Sequence, residues 1–164
     1  MTVAARTVLA DCELALAMLE EEERADRWRV LWIAGVTALR TVGDAFHRVD
    51  ADGDPVIGRV VRAHHRRWVD EPGPDQDMFR DFIKSERDDL VHLYRFGPSD
   101  ADGHVLVFDG GDSAATVEAD LYRPLVDGPF AGEDARDVFV RAVEWWQTKL
   151  NLIDSETTKT LRTS

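Results

Sequence analysis

A chain of 164 residues, 44% of them hydrophobic, suits one domain with a real core. No run approaches the roughly 18–20 consecutive apolar residues of a membrane helix, and Met1 to Arg6 lacks the basic and apolar segments of a secretory signal, so a soluble cytoplasmic protein is expected. With 32 acidic residues against 20 basic ones, the formal net charge of −12 repels phosphate backbones and anionic lipids. That argues against membrane binding and a broad nucleic-acid-binding surface, though not against a local basic groove.

Helical periodicity dominates the first hundred residues. From about Ala4 to Glu23, Val8, Cys12, Leu16 and Leu19 recur at spacings of three and four among strong helix formers. Cys12, the single cysteine, cannot close a disulfide within the chain and reads as a small buried hydrophobe in a reducing compartment. The four acids Glu20 to Glu23 oppose the dipole at the helix end and predict a break there. A second helix, about Asp26 to Val49, carries Trp28, Leu31, Trp32, Gly35, Leu39, Val42, Phe46 and Val49 in one long stripe and is expected to be central. Gly35 and Gly43 either permit close helix approach or simply weaken the helix. Asp50-Ala51-Asp52-Gly53 supplies turn chemistry, and Asp54-Pro55 reads as an N-cap followed by proline at the first helical position.

The third helix, about Pro55 to Val69, places Ile57, Val61, His64 and Trp68 on one face and ends before Pro72-Gly73-Pro74. A fourth, about Asp75 to Phe96, presents Phe79, Phe82, Ile83, Leu90, Leu93 and Tyr94 inward and ends at Gly97-Pro98. His104 to Phe108 and Ala115 to Tyr122, around Asp109 to Asp112, read as two short strands about a glycine turn. The last helix, about Asp134 to Ile153, has the stripe Phe139, Val143, Trp146, Leu150 and Ile153, with Asp134 as cap. The predicted fold is all-α: a five-helix bundle over 1–154 with a small β-hairpin before the last helix. Ser155 to Ser164 is expected as a flexible tail.

The segment Phe82 to Tyr94 holds the densest chemistry: Arg87, an acid directly after it at Asp88, and His92 five positions beyond the arginine. It resembles the Arg-x4-6-His signature of HEPN domains, small all-α bundles often found as dimeric, metal-independent ribonucleases in defence and toxin–antitoxin systems. The resemblance covers this motif and the helix count. It implies His92 as the base that takes the 2′-hydroxyl proton, Arg87 as the phosphate clamp and Asp88 as an orienting group. It also implies a homodimer, RNA as substrate, a cognate antitoxin or other protein as partner, and no cofactor or metal. On a regular helix five residues turn about 140°, so the pair needs a bend or a second protomer.

Two other readings stay open. One is a non-catalytic, acidic protein-binding or assembly module; an outward Trp145 would serve it as a dimer or partner contact. The other is a metal-carboxylate bundle built from Asp44-x-x-His47 and Asp89-x-x-His92. Glu86 lies within an apolar stripe and is expected to pair with an arginine such as Arg29 or Arg40, or to act as a shifted carboxylate. His64 reads as a satisfied core histidine, and His65 as solvated.

Overall fold

The computed structural model describes residues 1–71, 73–99, 105–108, 114–117 and 122–163. Among them, five helices make the fold mainly all-α. Helix α1 is Val3–Glu21, and extended backbone at Glu22 and Arg24 breaks the chain in the acidic run as predicted. Helix α2 begins as Ala25–Ala45, passes through a π-helical turn at Phe46–Asp50 and ends with Ala51–Gly53. Helix α3 is Pro55–Asp70, capped by Asp54, whose carboxylate accepts from the backbone N–H groups of Val56 and Ile57. Helix α4 comprises Pro74–Asp77, a π-helical stretch at Met78–Lys84 and Ser85–Leu93. Helix α5 is Ala135–Thr163, and Asp134 accepts from the N–H of Arg136 just inside it.

The core forms where α2 meets the other helices. Trp32 is fully buried, with its ring 6.1 Å from Phe82 of α4 and 5.9 Å from Phe139 of α5. A second aromatic cluster joins α3, α4 and α5: Trp68 lies edge-on to Trp146 at 5.5 Å, and Phe79 stacks on Trp145 at 5.9 Å. Trp146 Nε1 donates to the Leu39 carbonyl at 2.9 Å, so its one polar atom is satisfied inside the core. The two glycines act as spacers of α2 against α5. A Cβ at Gly35 would lie 2.8 Å from the Phe139 ring, and one at Gly43 would lie 3.1 Å from Trp146.

The structure corrects three details of the periodic reading. Val49 is exposed while Ala51 is buried, because the π-helical turn adds a residue and moves the apolar stripe from Phe46 to a position five residues on. Leu93 and Tyr94 are also exposed. Helices α2 and α4 run antiparallel, with Phe79 beside Arg40 and Glu86 beside Trp32. Extrapolating that pairing sets Leu93 opposite the first residue of α2, Ala25, where the central helix has run out; Tyr94 then turns the chain in the left-handed region at φ 50°. Residues 155–163, expected as a tail, continue helix α5. Ile153 is the last apolar position of the stripe, but the helix is held further along by the bond from Glu156 to His64, and Thr157 is buried although its hydroxyl finds no partner among the described residues.

Val105–Phe108 and Ala114–Val117 pair antiparallel, with Val105 opposite Val117. The glycine turn expected between them lies outside the described residues, as does His104, and the fold is assigned on the helices alone.

The first residues of α1 are held from afar. Asp50 of α2 accepts from the N–H groups of Ala4 and Ala5 at 2.9 and 3.0 Å. Asp154 of α5 accepts from the N–H and hydroxyl of Thr2 and from Arg6. Both carboxylates sit where a helix N-terminus leaves N–H groups without intrahelical partners.

Candidate functional site

The residues singled out in the sequence gather on the last segment of α4, Ser85–Leu93. Continuing the stripe of Phe79, Phe82 and Ile83 by one turn brings Glu86 onto the face that meets α2. Its expected arginine partner is absent: Arg40 pairs with Asp44 at 3.2 Å, and Arg29 lies exposed. Instead Trp32 Nε1 and the N–H of Gly97 both donate to Glu86 Oε1, each at 2.9 Å. Gly97 is required for that close return of the chain, because a Cβ there would overlap Glu86 Oε2. Burial pushes the Glu86 carboxyl above its ordinary range, the two hydrogen bonds oppose that, and the charges of Asp89 and Asp127 add to it. Beside it opens a cavity of about 270 Å³, lined by Arg80, Ser85, Asp89, Asp127 and Phe130 among others. The sequence pattern points to a cation for Glu86 and not to Trp32 or Gly97. A signal for Trp32 is present all the same, since Trp32 and Glu86 fall in the facing stripes of two antiparallel helices.

Arg87 follows on the flank of the helix and is half-buried. Its guanidinium donates to the adjacent Asp88 carboxylate at 2.9 Å, and Lys84 reaches the other oxygen of the same group at 3.2 Å. Burial raises the Asp88 carboxyl, but hydrogen bonds from Arg87 and Lys84 outweigh it and hold the group below the usual carboxylate range. His92 is exposed and takes part in no hydrogen bond or ion pair among the described residues. Segment Ser85–Leu93 is regular α-helix, so the π-helical stretch before it does nothing to close the angle between Arg87 and His92. They remain about 140° apart around the axis and about 7.5 Å apart along it. A single chain does not wrap them around one phosphate. Outward-facing Val91, Leu93 and Tyr94 surround His92 in sequence.

The four residues of the metal-carboxylate reading are split between two places. Asp44 is engaged by Arg40 and the His47 ring lies 4.8 Å from that of His65, whereas Asp89 lines the Glu86 cavity and His92 faces solvent. Among the described residues no three His, Cys, Asp or Glu side chains gather within reach of one metal ion. His64 is the core histidine expected, buried and bonded through Nε2 to Glu156 at 2.9 Å. His65 is half-buried against His47 rather than solvated. Trp145 is half-buried on Phe79 and Trp68, which leaves little of it for a partner. Cys12 is buried, and burial pushes its thiol up to about 12, where no useful thiolate exists near neutral pH.

No family model, curated protein or solved structure matches the chain. The chemistry open to it therefore rests on these residues: a solvent-accessible imidazole, an arginine–aspartate pair one turn before it, and a desolvated carboxylate beside a small cavity.

Proposed function

We propose that two copies of the chain pair through the end of α4 and form a HEPN-like, metal-independent endoribonuclease. The observation that supports this reading is the surface left open there. The unengaged imidazole of His92 stands among the outward apolar side chains Val91, Leu93 and Tyr94, and Arg87 and Asp88 lie one turn earlier. Exposed apolar side chains beside a polar group with no partner suit an interface between protomers. A two-fold pairing sets the imidazole of one protomer against the guanidinium of the other, which removes the obstacle of the 140° angle.

In that arrangement neutral His92 takes the proton from a ribose 2′-hydroxyl, and the freed oxygen attacks the adjacent phosphorus. Arg87, aligned by Asp88, stabilises the charge that builds on the phosphoryl oxygens. The leaving 5′ oxygen takes a proton from water, giving a 2′,3′-cyclic phosphate and a 5′-hydroxyl. A cognate antitoxin would act by covering the same helix end.

Sedimentation analysis combined with RNA cleavage in excess chelator tests the proposal. A dimer is expected, with cleavage reduced at least about 100-fold by His92→Ala and by Arg87→Ala while both variants stay folded by circular dichroism. A chain that stays monomeric, or His92→Ala that cleaves as well as the native chain, refutes it.

A second reading has the same surface in its favour: an acidic, non-catalytic module that docks another protein on Val91, Leu93 and Tyr94. It predicts no cleavage by the native chain. Leu93→Ser with Tyr94→Ser would then abolish partner capture without changing stability.

A further inference from the structure

We infer that the groove between α3 and the π-helical turn of α2 binds a compact oligophosphate, such as the di- or triphosphate group of a nucleotide. This groove shares no residue with the α4 segment and does not depend on the ribonuclease reading.

Five residues line it: His47 from the π-helical turn, and Arg59, Arg62, His65 and Arg66 from α3. All are cationic or capable of becoming so. The concavity measures about 630 Å³, within the range of about 300–1,000 Å³ typical of small-ligand sites. The surrounding charge makes it unusual. The chain carries 32 acids, yet among the described residues no carboxylate comes within 4.0 Å of the guanidinium of Arg59, Arg62 or Arg66. Arg62 and Arg66 stand four residues apart on one helix, a like-charge spacing that weakens a helix unless a counter-charge arrives. The three exposed arginines stand together with no carboxylate in contact among the described residues, and a bound anion would supply the counter-charge.

Local geometry sets the arginines as a row. Positions 59, 62 and 66 fall on the side of α3 away from its buried face of Ile57, Val61, His64 and Trp68. They span seven residue steps, or about 10 Å along the axis. Gly58 brings the start of α3 against the end of α2: a Cβ there would lie 2.6 Å from the Ala51 carbonyl, and the Arg62 guanidinium lies back over the same point. Arg66 Nε donates to the Arg62 carbonyl at 3.3 Å, which ties its planar head to the row. Planar forks of this kind match pairs of phosphoryl oxygens.

The two imidazoles close the other wall, with ring centroids 4.8 Å apart. Burial holds His65 below its ordinary value, helped by His47 and Arg40 and opposed by Asp44 and Asp70. At neutral pH His65 is therefore an uncharged N–H donor that can serve an anion without adding to the repulsion among the arginines.

Size favours a compact ligand over a long strand. Three guanidiniums match the three to four negative charges of a triphosphate, whereas a nucleic acid strand would extend well past a row of about 10 Å. Sequence reading could have found the row, because Arg59, Arg62 and Arg66 recur at spacings of three and four opposite the apolar stripe of the same helix.

The test is calorimetric titration of the whole chain with inorganic triphosphate and, separately, with a single-stranded oligonucleotide, alongside imidazole NMR signals. Triphosphate should bind one to one and move the signals of His47 and His65. Arg62→Ala and Arg66→Ala should each weaken it at least about tenfold, and Arg62→Lys should restore only part of that loss. Arg29→Ala, which removes the same charge from an exposed site on α2, should leave binding unchanged. Three results would overturn the inference: no heat or signal change at millimolar triphosphate with the protein folded, equal weakening by Arg29→Ala, or tighter binding of the oligonucleotide than of triphosphate.

Discussion

Replacing Glu86 separates what its carboxylate does for the fold from what its charge costs. The group accepts from Trp32 Nε1 and the Gly97 N–H, and both donors are buried. Glu86→Ala strands both, at about 1–3 kcal/mol for each unmet buried donor. Water entering from the adjacent cavity softens the loss, so about 2–4 kcal/mol in total is expected, a large part of the roughly 5–15 kcal/mol that holds a domain of this size together. Glu86→Gln keeps an acceptor oxygen in place and turns its amide N–H₂ toward the cavity. It weakens two charge-assisted bonds but removes the penalty of a desolvated charge, so a net change within about 1 kcal/mol is expected at pH 7.

The pH dependence gives the sharper check. The folded-state pKa of Glu86 lies above its ordinary 4.5, chiefly through burial. The folded chain therefore binds a proton that the unfolded chain lacks in the window between those two values, and native stability rises as pH falls through it. Glu86→Gln has no such titration, so any advantage it holds at pH 7 should shrink as pH is lowered. Urea unfolding of the native chain, Glu86→Gln and Glu86→Ala from pH 5 to pH 8 measures this. A Gln-minus-native difference that grows on acidification, or an Ala variant as stable as Gln, would refute the reasoning.

Two further sets of substitutions probe the helix contacts. Gly35→Ala gains about 1 kcal/mol of helix propensity but drives a methyl to 2.8 Å from the fully buried Phe139 ring, at about 1–3 kcal/mol, so net destabilisation is expected in thermal unfolding. Gly43→Ala, whose Cβ meets Trp146 at 3.1 Å, should come out near neutral; a stabilised Gly35→Ala would mean α5 yields more easily than its packing implies. Asp50→Ala should lower the urea midpoint more than Asp54→Ala. Asp50 serves two N–H groups of α1 with both oxygens, at about 1–3 kcal/mol, whereas Asp54 makes one short bond of 2.7 Å and one long one of 3.4 Å, at about 1 kcal/mol. The reverse order would show that the bridge from α2 to α1 contributes little.

Apolar spacing carried the fold well because most of α1, α2, α3 and α5 is regular helix with a continuous stripe. The break at Asp54-Pro55 is legible from its capping aspartate and proline, whereas the fourth helix ends at Leu93, before the Gly97-Pro98 stop the sequence suggests, because Tyr94 turns left-handed there. Reading failed where the helix itself changes pitch. No residue type announces the π-helical turn at Phe46–Asp50, so the regular period points Val49 inward where it no longer applies. The α4 stripe points Leu93 and Tyr94 inward because it records the face of a helix and not where its neighbour ends. Glu86 was legible as an anomaly, but its partner was sought among cations when an indole N–H and a backbone N–H supply it. Residues past Ile153 read as tail because the contact that anchors them, Glu156 with His64, is polar.

The bonds that reach the start of α1 bear on how the molecule is made. Thr2 meets Asp154 across 152 residues of sequence, and Arg6 meets Asn151 across 145. Synthesis must therefore pass residue 154 before Thr2 and Arg6 meet their carboxylate, whereas Ala4 and Ala5 can meet Asp50 far earlier, and loop closure over the longer span makes that docking the later event. Until then α1 has only its local turns and its contacts with α2, and the nascent chain exposes an apolar strip that a chaperone can hold.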